Sequence, residues 1–265
     1  MDGCQVVYHA SGVNAFCLRD PSEMMSVNVH GSVNVVKAAA ETGIARVVYT
    51  SSAAAIGETS GTLGSEASLH RGSYHTWYER SKHHAEVAVL AEADRLETSV
   101  VSVNPSSVQG PGRSSGTARI LIGYLNGRLR FAFDTKLSIV FIDDCVEGHL
   151  LAEANGLAGQ RYLLNGSVLT VREAIGLLSE ISGIQHKVRY LPKWTVQAAG
   201  ALIGGGARLL RREEAVFCGE MARALTQGHI YDGSRATRDL GLGYTDTRWA
   251  LKQTVAWLRG EGLIG

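Results

Sequence analysis

Proline is scarce, at 4 of 265 residues, which argues against a Pro-rich or disordered linker between separate domains. Charge of one sign is also lacking: the formal net charge is +1 and no basic run exceeds the Leu209 to Arg212 stretch, so neither a nucleic-acid footprint nor an acidic partner is implied. The four cysteines, Cys4, Cys17, Cys145 and Cys218, show no CxxC spacing and sit among apolar residues. The expectation is buried free thiols and a reducing compartment. No basic leader with an apolar core opens the chain, and the apolar stretch from Val196 is too short to span a bilayer, so a cytoplasmic soluble protein is expected. That stretch is expected to cover a cleft or join the core. Its Gly204 to Gly206 triplet lies in a helical pattern and follows no strand, so it is not a phosphate loop.

Glycine is plentiful, at 31 residues, which suits many tight strand-to-helix turns. Short β-branched runs alternate with helical patterns: strands at Gln5 to His9, Arg46 to Ser51, Ser99 to Asn104 and Arg161 to Asn165, helices at Ser26 to Thr42, Thr76 to Leu96 and Ile142 to Asn155. This alternation implies an α/β fold with a parallel sheet and ligands at the carboxyl ends of its strands. From Thr170 the pattern becomes helical. Thr170 and Glu173 make a capping-box signature, and Trp249 and Trp257 lie eight apart on a final helix. The division expected is a core over 1–165, with an insertion near 110–137, and a smaller, mainly helical lobe over 166–265.

The chemistry centres on Tyr78 and Lys82. Four apart, they share one helix face, where a fixed ammonium favours the phenolate and brings the Tyr pKa down toward working pH. The hydroxyl then exchanges a proton with a substrate oxygen as hydride moves. Ser52 or Ser51, at the end of the neighbouring strand, orients that oxygen. His83, His84 and Glu86 lack zinc-site spacing and are read as a solvated helix face, while Asp143 and Asp144 cap or polarise the helix they begin.

Several blocks in order, "DGCQVVYHASG", "VNVHGSVNVVKAAAETGIARVVYTSSAAAIG", "YERSK", "NPSSVQGPG", "SIVFIDDCVEGHLLA" and "RYLLNGSVLTVREA", give the chain a resemblance over nearly its whole length. It resembles an extended short-chain dehydrogenase/reductase of the NAD-dependent epimerase/dehydratase kind, including dihydroflavonol-reductase-like and 3β-hydroxysteroid-dehydrogenase-like enzymes. The resemblance implies a Rossmann-like doubly wound parallel sheet with a smaller substrate lobe. It also implies a catalytic set of Ser52, Tyr78 and Lys82, with Lys82 holding the nicotinamide ribose. His9, Ala10, Ser11 and Gly12 match the strand end beside the cofactor, Asn28 the helix asparagine, and Thr50 and Ser51 the second strand end. Asn104, Pro105, Ser107 and Val108 match the loop at the nicotinamide carboxamide.

One expected part is missing from these 265 residues. The family's first strand, its GxxGxxG turn and the strand that selects NAD or NADP have no counterpart, so "DGCQVVYHASG" matches the fourth strand. About sixty residues, two strand–helix units and a third strand, are implied upstream. The doubly wound sheet is therefore expected to lack its first strands, NAD or NADP to bind weakly, and Gln5 to His9 to form an exposed edge able to recruit a second copy. The leading function is hydride transfer to or from a ketone, aldehyde or secondary alcohol. The alternatives are a nucleotide-sugar epimerase or dehydratase that retains NAD, and a cofactor-free binding or scaffold protein. For the substrate, Arg128, Arg130 and Lys136 leave a diphosphate grip open, whereas Phe131, Phe133 and Ile139 suit a less polar molecule or the core.

Overall fold

The structure is a computed structural model that describes residue 1, residues 3–209 and residues 217–265. Arg211 and Arg212 lie outside the described residues. In chain order the elements are β1 (Val6–His9), α1 (Ser22–Met25), α2 (Ser32–Glu41), β2 (Arg46–Thr50), α3 (Trp77–Arg95), β3 (Val100–Pro105) and β4 (Ser107–Gln109). They continue as α4 (Ala118–Leu125), β5 (Phe131–Ala132), β6 (Lys136–Phe141), α5 (Ile142–Asn155), β7 (Arg161–Leu164) and β8 (Ser167–Thr170). The chain ends with α6 (Val171–Ser182), β9 (Arg189–Tyr190), α7 (Lys193–Leu209), α8 (Gly219–Gln227) and α9 (Thr247–Gly260).

β1, β2, β3 and β7 form a parallel sheet in that order. Alternation along each strand supplies its two covered faces. Val47 and Tyr49 of β2 pack with Val36 and Ala39 of α2 and with Ala85 and Val89 of α3. Val48, between them, points the other way, toward Cys145 and Ala152 of α5. Ala236, Leu240 and Leu242 join this second face, so the segment before α9 returns to the sheet.

Further strands lie outside the main sheet, between Ser107 and Tyr190. β6 pairs in parallel with β4 and antiparallel with β8, and β5 pairs with β9. β6 and β8 run without punctuation into α5 and α6, so no turn residue marks their ends in the sequence. α4, from the expected insertion, packs with α6 and α9 in one cluster that includes Tyr124, Leu178 and Leu258. The capping box at Thr170 and Glu173 forms, with the Glu173 N–H donating to Thr170 Oγ1 at 3.1 Å.

Candidate active site

Two carboxyl-end turns build the site. After β2 the chain passes through Ser51 and Ser52 into a single 3₁₀ turn, Ala53–Ile56, whose Ala54 N–H donates to Ser52 Oγ at 3.2 Å. Gly57 closes that turn with φ +62°, and a Cβ there would lie 2.0 Å from the His70 ring, so only glycine fits. α3 then starts at Thr76, whose hydroxyl accepts the Glu79 N–H at 2.9 Å, which sets Tyr78 in the first turn and Lys82 one turn on.

Tyr78 is half-buried and the Ser52 hydroxyl lies against its phenol. Burial pushes the phenol above its ordinary value, and the Ser52 hydrogen bond only partly offsets this. The lowering expected from Lys82 is therefore corrected. The Lys82 ammonium is buried, donates to the Thr50 carbonyl at 2.8 Å and sits 5.3 Å from the Tyr49 ring centroid. Burial brings its own pKa down to about 8, against the pull of Glu86.

Asn28 fastens the loop after β1 to this turn. It lies in a short π-helical segment, Ser26–Gly31, where it accepts the Val13 N–H at 2.7 Å and donates to the Val13 carbonyl at 2.9 Å. It also donates to Ser81 Oγ at 2.8 Å, and Ser81 donates to the Tyr78 carbonyl. A Cβ on Gly12 would lie 3.2 Å from Asn28 Oδ1 and 4.0 Å from Lys82 Nζ, so Gly12 brings exposed backbone close to the lysine. Ala10 and Ser11 are exposed beside it. His9 turns inward, bonding to Ser32 Oγ at 2.9 Å and stacking on Tyr49, and burial lowers its pKa.

The second strand ends face the site less directly. Thr50 Oγ1 bonds to His149 Nε2 at 2.9 Å, while the Ser51 hydroxyl is buried without a partner. Asn104 does not present its side chain to the site: fully buried, it donates to Glu86 and to the Ser52 carbonyl. Pro105 is buried, Ser107 bonds to Thr117 Oγ1 at 2.6 Å, and Val108 packs on the core. The solvated face expected for His83, His84 and Glu86 holds only for exposed His84. His83 bonds to the Ala55 carbonyl, and buried Glu86 accepts from Ser102, Asn104 and Arg161 because α3 lies on the sheet there. Asp144 is likewise an anchor, accepting the N–H and hydroxyl of Thr245.

The cysteines overturn an expectation. Cys17 and Cys218, 201 residues apart, form a disulfide, while Cys4 and Cys145 are free. Local spacing carries no signal for so distant a pair, and cysteine usage therefore gives no argument for a reducing compartment. The bond joins the loop after β1 to α8. Glu220 on α8 reinforces it, accepting the Cys17 N–H at 3.0 Å and the Trp77 N–H at 2.6 Å. Nothing in the sequence singled out Phe16, Cys17, Cys218 or Glu220 as neighbours of Tyr78, and only the fold brings them there.

A parallel sheet with a Ser, a Tyr and a Lys at one carboxyl rim defines a Rossmann-type protein of the dehydrogenase and epimerase class. The chain belongs to the NAD dependent epimerase/dehydratase family, whose model matches residues 1–164. It is 31% identical over 268 residues to sterol demethylase protein B of Methylococcus capsulatus, covering 100% of this chain and 81% of that protein. It is 27% identical to cinnamoyl-CoA reductase 1 of Petunia hybrida, covering 99% of this chain and 73% of the relative. Its fold matches the crystal structure of gox2253 with a TM-score of 0.84 at 26% identity, over 99% of this chain and 81% of that one.

Proposed function

We propose that this chain is an NAD(P)-dependent oxidoreductase acting on a ketone, aldehyde or secondary alcohol. The carrying observation is the convergence of Ser52, Tyr78 and Lys82 with the exposed backbone at Gly12. The residues present fit the nicotinamide half of the cofactor: Gly12 is a cradle that a side chain would fill, and the buried, unpartnered Ser51 hydroxyl lies next to Ser52. Ala10 to Gly12 and Lys82 would hold that half, and the bound nicotinamide supplies or accepts the hydride.

Ser52 orients the substrate oxygen through its hydroxyl. Tyr78 donates its phenolic proton to that oxygen during reduction, and its raised pKa keeps the proton in place at neutral pH. Lys82, fixed by its bond to the Thr50 carbonyl, is the ammonium that would meet the nicotinamide ribose. The similarity of this chain to a putative dihydroflavonol 4-reductase and a cinnamoyl-CoA reductase supports net reduction over internal epimerisation.

The test is oxidation of NADH and NADPH by the chain against a panel of ketones and aldehydes, with Tyr78→Phe as control. Turnover that falls by about a hundredfold or more in the variant supports the reading. Unchanged turnover in Tyr78→Phe removes Tyr78 from the chemistry.

A further inference from the structure

A cavity of about 820 Å³ opens between the loop after β1, the start of α3 and the facing walls of α7 and α8. Its volume suits a small organic molecule. It adjoins the proposed site: Thr76 and Trp77 in its wall immediately precede Tyr78, and the Phe16 ring, next to Cys17, lies 6.2 Å from the Tyr78 ring.

Three arginines line this cavity from three separate elements, Arg19 from the loop, Arg80 from α3 and Arg223 from α8. All three residues are exposed, and among the described residues none pairs with a carboxylate. The one carboxylate in the wall among the described residues, Glu220, has both oxygens held by backbone N–H groups. His75, also in the wall, has its pKa lowered by burial first and then by Arg71, His229 and Arg223, so it adds no charge near pH 7. Tyr74 and Thr76 add hydroxyl-bearing side chains to the wall, and Leu18, Trp77, Ala201 and several glycines make up much of the rest. α7 faces the cavity with glycines and Ala201, and Gly200 and Gly204 let it pack onto Cys218. A concave wall lined by charge of one sign raises the local concentration of counter-ions. The disulfide and Glu220 hold the loop and α8, so Arg19 and Arg223 sit on a fastened frame, and Arg80 lies 5.1 Å over the Trp77 ring.

We propose that this cavity selects carbonyl or alcohol substrates that carry an anionic group, a carboxylate or a phosphate ester, at the end remote from the reacting carbon. The inference rests on the hydride-transfer reading for which end reacts. It differs from the basic residues singled out by sequence, because Arg128, Arg130 and Lys136 do not line this cavity and neither do Phe131, Phe133 and Ile139. Arginine forks match both anions, so charge alone does not separate the two sources.

Isothermal titration of the full chain with octanoate, octyl phosphate and 1-octanol reads the cavity without turnover. The two anions bind at least about tenfold more tightly than the alcohol at low salt, and the gap narrows as salt rises. Whichever anion binds more tightly identifies the group. R19Q/R80Q/R223Q loses the preference, whereas R19K/R80K/R223K keeps most of it, and unchanged melting of both confirms the fold. Equal binding of 1-octanol, or a preference that survives in the glutamine variant, overturns the proposal. Anion preference without NAD(P)H turnover sinks the hydride-transfer reading alone, and turnover without anion preference sinks this inference alone.

Discussion

At the residue scale, the setting of Lys82 makes stability depend on pH with a definite sign. Its folded pKa of about 8 lies below the ordinary 10.5, so burial of its charge destabilises the folded state fully below pH 8. Between those values the unfolded chain holds a proton that the folded chain has released, and the penalty fades as pH rises. Lys82→Met removes the group. The melting temperature of the variant relative to the wild type should therefore be highest near pH 7 and fall by pH 9.5, while turnover is lost at both. A difference that does not change with pH would refute the buried, charge-averse setting of Lys82. The spacing of Tyr78 and Lys82 was legible in the sequence, because four residues fix a shared helix face. Their electrostatics were not, because burial is a property of the packed sheet, and here it moves both groups toward their neutral forms. Asn104 and Glu86 were hidden for the same reason: polar residues at a strand end and on a helix face meet inside the protein.

At the scale of elements, strand and helix periodicity located the main sheet, whereas β4, β6 and β8 escaped. β4 is 3 residues long and begins directly after Ser106 at the end of β3, and β6 and β8 run straight into α5 and α6 with no glycine or proline between. Two contacts between elements carry predictions. Glu86 of α3 pairs with Arg161 of β7 at 3.0 Å, with the carboxylate nearly dry and the guanidinium one quarter exposed. Arg161→Met leaves a buried carboxylate unpaired, and denaturant unfolding should show a loss of about 3 kcal/mol. A loss within the error of extrapolation would mean that Ser102 and Asn104 satisfy Glu86 alone. The second contact is the disulfide. Thiol titration of the unreduced, denatured chain should count two free cysteines, Cys4 and Cys145, and reduction should lower stability by about 2–4 kcal/mol. Four titratable thiols before reduction would rule the bond out.

On the scale of the whole molecule, the sheet order leaves β1 paired on one side only, among the described residues. Its outer edge carries backbone donors and acceptors alongside half-buried Val6 and Val7 and exposed Tyr8. Parallel sheets are normally covered and closed by further strands, and an uncovered apolar edge is a template for another chain. A second copy of β1 offers the same edge, so two chains related by a twofold axis can continue the sheet across their interface. The 265-residue chain is therefore expected to associate between low and high micromolar concentration, as read by light scattering behind a sizing column. Val7→Lys places a charge on the edge strand and should shift that equilibrium toward monomer, although the core beneath it, where Val7 packs partly against Val36 and Val47, will be weakened as well. Tyr8→Lys separates the two effects, because the Tyr8 side chain is exposed and its phenol donates to Glu153. Association that persists unchanged in Tyr8→Lys, in a chain that still melts cooperatively, would place the interface elsewhere on the molecule.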